Sequence, residues 1–339
     1  MYLLIDVRTS CPSDIPNLYY AEIWADTWRI YHPDDRITFL GFDGDTIEKY
    51  ECISLSRGLR LFPKKIASHK YGPDRVISFS KLPPIDKRVP HILHVDELTH
   101  TLYPRTQGGF FARQREEIQY KKNLASSSHI IIPHRSLTHT LGELYEIDDS
   151  KVSIIPYLSF GKKDFYKDQT ILPHGISGDY FITEWTPWDE WNPRGLLEAF
   201  RSYIHENNGN RQLIILWDMW MNLSTLSLLI RSHGLIEKVK ILSMVSREEQ
   251  SLLYAHAKWW IYIWHYYNRW SSVELANSYD IPLYLSDIPW LSVYNGVHIH
   301  PNHIDTLADI LWNSDMQNIS HPKNDNQSIM QVYARIISD

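Results

Sequence analysis

The stretch YIWHYYNRWSSVELANSYDIPLYLSD, from Tyr262 to Asp287, decides how the chain is read. An apolar run, a polar loop, a helix-forming segment and a second apolar run follow in the order used by a nucleotide-binding βαβ unit. Working outward, the same grammar recurs: KVKILS (238–243), QLIILW (212–217) and YFITEW (180–185) lie upstream, and VHIH (297–300) lies downstream. RGLLEAFRSYIHE and SREEQSLLYAHA separate them with helical spacing, and Ser246 followed by Glu248 and Glu249 marks a capped helix start. Apolar runs this continuous suit strands buried on both faces of a parallel sheet.

The first half repeats the pattern. Its strand candidates are YLLIDV (2–7), ITFLGF (37–42), RVISFS (75–80), HILHV (91–95), HIIIPH (129–134) and KVSIIPY (151–157), with AEIWADTWRIYH and RQREEIQYKKNLA as helices. Between the halves, Leu158 to Asp179 is polar and bears glycine and proline, as a linker does. The expected fold is therefore α/β, with two doubly wound Rossmann-like domains, 1–160 and 175–322, facing across a cleft. The amphipathic segment at about 323–339 has no strand after it and is expected to pack back on the first domain or the hinge.

Composition narrows the classes. The 339 residues are 43% apolar and 22% charged, as in globular proteins, and the net charge of −6 gives no reason to expect a nucleic-acid partner. Two cysteines, Cys11 and Cys52, point to a reducing compartment, with one disulfide between them as the other reading. The opening MYLLIDVRTS lacks a basic leader region, and no uncharged run reaches the ~20 apolar residues of a membrane span. A cytoplasmic location is expected. FPKKIASHK (62–70) offers a modest basic-apolar patch for contact with the inner membrane face; a charged surface loop is the other reading.

From about His94 to Ile310 the order of these words resembles glycosyltransferase family 4, whose fold is GT-B. HILHVDELTHTLYP is similar to its histidine-led loop, and LTHTLGELYEIDDSKVSIIPY to the segment closing its first domain. YFITEWTPWDEWNPRGLLEAF resembles the opening of its second domain. KVKILSMVSREEQSLLYAHAKWWIYI, the stretch quoted first and SDIPWLSVYNG resemble its donor-binding half. The resemblance implies a retaining transfer of a sugar from a UDP- or GDP-linked donor to a glycan or lipid-linked acceptor, without a metal or resident cofactor. It implies a role in surface polysaccharide synthesis. A non-catalytic subunit that keeps the fold is the alternative.

The same resemblance implies site residues. His94, with Asp96 close behind, falls where the family places a histidine near the transferred sugar. Arg194 falls where a cation meets the donor diphosphate, beside a helix N-terminus. Of the family's two acids, Tyr267 occupies the first position, while Glu274 stands one residue from the second and would accept from the ribose hydroxyls. An exposed helix-start acid is the other reading of Glu274. Asn268, Ser271 and Ser272 would supply remaining donor contacts.

Glycine numbers 14, where an average usage of about 7% would give roughly 24, and tryptophan numbers 13. Trp185, Trp217 and Trp270 fall where the family has glycine, which permits close backbone approach and positive φ. One reading is that these codons are UGA, translated as glycine in the source organism. The other is a cleft lined by aromatic side chains that stack on sugar rings.

Overall fold

The computed structural model describes residues 1–8, 15–42, 49–55, 72–84, 86–95, 98, 110–158, 172–185, 192–205, 209–217, 223–243, 245–263, 270–288, 291–292, 294–300, 302–312 and 325–338. The chain divides into two compact units. Met1–Leu158 and Asn324–Asp339 form the first, and Ser159–Lys323 the second.

The first unit holds a parallel sheet of β1 (Tyr2–Asp6), β2 (Arg36–Phe42), β3 (Glu51–Leu55), β4 (Arg75–Ser78), β5 (His91–His94), β6 (His129–Ile132) and β7 (Val152–Ile154). Their spatial order is β3-β2-β1-β4-β5-β6-β7. Its described helices before the second unit are α1 (Ile15–Tyr31), α2 (Phe110–Ser126) and α3 (Ser136–Tyr145). Each expected strand of this half is present, and β3 is one more. Only Leu55 of β3 is buried. An edge strand half open to solvent needs no continuous apolar run, and ECISL has none.

The second unit holds β8 (Tyr180–Trp185), β9 (Gln212–Trp217), β10 (Val239–Ser243), β11 (Trp259–Tyr262), β12 (Leu283–Ser286) and β13 (Val297–Ile299), ordered β10-β9-β8-β11-β12-β13. Its helices are α4 (Pro193–His205), α5 (Ser224–Ser232), α6 (Arg247–His256), α7 (Trp270–Ser278) and α8 (Ile304–Trp312). Ser246 caps α6 through a reciprocal capping box with Glu249. All recorded pairings in both sheets are parallel, and strand order reverses between β1 and β4 in one and between β8 and β11 in the other. In open α/β sheets, that reversal is where ligands bind, outside the carboxyl ends of the strands.

The last helix, α9 (Asn326–Ser338), belongs to the first unit. Its buried side chains Ile329, Tyr333 and Ile337 recur every four residues, so they form one stripe. Tyr333 meets Trp24 of α1 edge to face at 5.4 Å, and Arg75 of β4 donates to the Ile337 carbonyl at 2.9 Å. Trp24 in turn stacks on Trp28, and both are fully buried. Burying a large apolar side chain contributes about 1.5–3 kcal/mol, so this aromatic seam outweighs any local preference of α9 to fray.

Candidate functional site

The second switch point is built around Glu184, the penultimate residue of β8. The residue is only 7% exposed. Tyr254 of α6 donates its hydroxyl to Oε1 at 2.5 Å, and Gln250 of the same helix donates its amide to that oxygen at 3.2 Å. Ser272, in the first turn of α7, donates its hydroxyl to Oε2. Trp260 of β11 closes the cluster by donating Nε1 to the Tyr254 oxygen at 3.2 Å. Burial, and then the neighbouring carboxylate, push the Tyr254 phenol well above its ordinary pKa, so it stays a donor. A buried carboxylate is costly unless its lone pairs are met, and here three donors meet them.

Glu274 lies two residues further along α7 and is 2% exposed. It is therefore not a solvent-facing helix-start acid. A buried carboxylate thus meets the first turn of α7 at Ser272, and a second is carried at the middle of that helix. Across the sheet, Thr183 of β8 donates to the Ile261 carbonyl of β11 at 2.7 Å, binding the two strands of the switch point.

Arg194 enters from α4. Asn192 caps that helix by accepting from the Gly195 amide at 2.9 Å, while the Asn192 amide donates to the Ile263 carbonyl just past β11 at 3.3 Å. A Cβ at residue 195 would stand 2.3 Å from the Asn192 side chain, so glycine is required for this cap. The arrangement ties the head of α4 to the carboxyl end of β11, and the Arg194 side chain is exposed there.

His94 is placed differently. It ends β5 in the first unit, 7% exposed, with its ring stacked at 4.2 Å on Phe79 and at 5.5 Å on Tyr333. Its Nε2 lies 3.2 Å from the Tyr333 hydroxyl, and burial lowers its pKa to about 3. A neutral ring held between two aromatics fastens α9 to β5. A catalytic role would require it to leave that stack.

Of the remaining expected positions, Asp96, Asn268 and Tyr267 lie outside the described residues, as do 62–70. Ser271 is in the first turn of α7 beside Ser272. The Ser272 hydroxyl, expected to face a donor, is turned inward to Glu184. Sequence reasoning passed over Glu184, Gln250 and Tyr254. The available signal was a lone acid in the last two positions of an otherwise apolar strand, YFITEW.

The first switch point also carries a buried acid, but with a cation. Asp6 of β1 takes two hydrogen bonds from the Arg8 guanidinium, at 2.8 and 2.7 Å, and Arg8 also donates to the Pro83 carbonyl at 2.9 Å. Among the described residues, no cluster of three or more His, Cys, Asp or Glu side chains is placed to hold a metal. A cavity of about 330 Å³ lies between α1 and α9, lined by Tyr31, His32, Met330 and Arg335. It is away from the first switch point, since His32 precedes the amino end of β2. No described helix is long and apolar enough to cross a membrane.

No protein-family model matches the chain, and no curated protein matches it. Solved structures do. HepE of Anabaena in complex with UDP and glucose superposes with a TM-score of 0.70 at 14% identity, covering 100% of this chain and 99% of that one. A glycosyltransferase from Rickettsia africae gives 0.63 at 14% identity over 99% and 98% of the two chains. UDP-GlcNAc 2-epimerase of Methanocaldococcus jannaschii gives 0.61 at 14% identity over 100% of both. The fold is GT-B. Within the GT-B fold, the Glu184 cluster marks the switch point of the second Rossmann-like unit, and the His94 stack marks the attachment of the last helix to the first.

Proposed function

We propose that the chain is a glycosyltransferase that takes a sugar from a nucleotide-diphospho-sugar, with the nucleotide held by the second unit. The observation that carries this reading is the second switch point. Arg194 is exposed at the head of α4, Ser271 stands at the head of α7, and Glu274 is fixed within its first two turns. A guanidinium and helix N-termini suit a diphosphate, and a carboxylate suits ribose hydroxyls. Full-length likeness to HepE, whose structure contains UDP and glucose, supports the same reading. In this proposal Asn268 adds a donor contact, and Asp96 serves the acceptor side.

The finer assignment is a retaining, metal-independent hexosyl transfer to a glycan or lipid-linked acceptor in surface polysaccharide synthesis, at the inner face of the membrane. Nucleotide release from a panel of UDP- and GDP-sugars, with and without acceptors and with EDTA throughout, tests it. Release that depends on both donor and acceptor is expected. Release from donor alone, with epimerised sugar recovered, would replace transfer by the chemistry named for the Methanocaldococcus protein. No release and no UDP binding would leave a non-catalytic subunit.

A further inference from the structure

We propose that Glu184 is a positioning residue, whose carboxylate spans the second switch point and fixes the first turn of α7. The consequence for the donor site rests on the function proposed above. At a switch point the connections after the two neighbouring strands leave in opposite directions. The sheet's own hydrogen bonds therefore join β8 to β11 but do not secure the helix that follows β11.

Glu184 makes that tie. Helix α6 precedes β11 and α7 follows it; one oxygen of Glu184 receives Tyr254 and Gln250 from α6, and the other receives Ser272 from α7. Both oxygens accept here, so an apolar side chain of similar size at 184 removes the tie, whereas a glutamine could keep Ser272 by donating to its hydroxyl oxygen. The Tyr254 oxygen is itself engaged by Trp260 Nε1, so the phenol is held from both sides. With its lone pairs committed inward, Glu184 is not a donor ligand. It acts through Ser272 on the placement of Ser271 and Glu274. The acid of the first sheet has a different partner set: Asp6 is neutralised by Arg8, two residues along its own chain.

Amide hydrogen exchange of the ligand-free chain, read on a peptide spanning 270–278, tests the tie directly; UDP titration tests its consequence. Glu184→Leu and Ser272→Ala are each expected to speed exchange in α7 by about tenfold and weaken UDP by about tenfold, the scale of one hydrogen bond to a charged group. The double variant is expected to be no worse than the more affected single one, because both cut one link. Tyr254→Phe leaves the Ser272 link intact and is expected to loosen α6 while α7 keeps wild-type exchange.

Unchanged exchange in α7, or losses that multiply in the double variant, would overturn the proposal. Should Glu184→Leu fail to fold, Ser272→Ala decides alone by the same exchange criterion. A wild-type chain that binds no UDP would remove the donor reading, while the exchange result still decides the role of Glu184.

Discussion

Arg194 offers the cleanest test at the scale of single residues, because its side chain is exposed and the cap beneath it is made by Asn192 and Gly195. Arg194→Gln is expected to leave the melting temperature within about a degree and to weaken UDP binding by about 1.5–3 kcal/mol, with uridine unaffected. Calorimetric titration of both ligands checks this, and equal losses for UDP and uridine would remove the diphosphate role. The tryptophans make a second residue-level case. Trp24, Trp28, Trp259 and Trp260 are buried in the cores of the two units, whereas Trp185 and Trp217 end neighbouring strands in direct register and Trp270 opens α7. The recoding reading predicts UGG codons for the four core residues and UGA for the other three, and UGG at all seven would sink it. Residue roles were the least legible part of the sequence. A motif position places His94 at the end of a strand but does not tell that Phe79 and Tyr333 close on its ring. It offers Ser272 as a polar contact but does not reveal Glu184, 88 residues away in sequence, as the acceptor of its hydroxyl. Long-range side-chain partners leave no mark on local spacing.

Elements were read more easily, for a physical reason. A strand buried on both faces needs a run of consecutive apolar residues, so β1, β5, β9 and β12 announce themselves, whereas β3, open on its outer side, does not. The strand candidates also ran past the carboxyl ends of several strands, as in HIIIPH against His129–Ile132. The last helix is the element whose attachment is most exposed to test. Tyr333 contacts Trp24 and His94, and its loss would empty the seam between α9, α1 and β5. Tyr333→Ala is expected to cost about 3–5 kcal/mol and to release α9 to proteolysis before the rest of the first unit unfolds. Tyr333→Phe, which forfeits only the hydroxyl beside His94, is expected to cost about 1 kcal/mol. Denaturant melts with limited digestion separate the two; equal costs would mean the ring packing is not what holds the helix.

For the whole molecule, the two units are predicted to respond differently to acid. The first contains two buried neutral histidines, His91 with its pKa lowered to about 4 and His94 to about 3. Burial is the leading cause for both; at His91, Asp6 raises the value and Arg8 lowers it. Unfolded histidine titrates near 6.5, so below that pH the unfolded chain binds protons that the folded unit refuses, and stability falls as pH drops toward the folded values. The expected loss is about 2 kcal/mol for each histidine at pH 5. In the second unit, no described histidine is buried. Hydrogen exchange from pH 7 to pH 4.5, corrected for intrinsic rates, should therefore show the first unit opening ahead of the second. Simultaneous opening would contradict the assignment. The return of α9 to the first unit has a further consequence, for synthesis. The second unit is complete in the chain by residue 323, whereas the first lacks the partner of Trp24 and His94 until residues 326–338 have emerged. The N-terminal unit therefore keeps its aromatic seam uncovered throughout synthesis of the C-terminal one. A chain stalled shortly before Tyr333 would present that seam to chaperones instead.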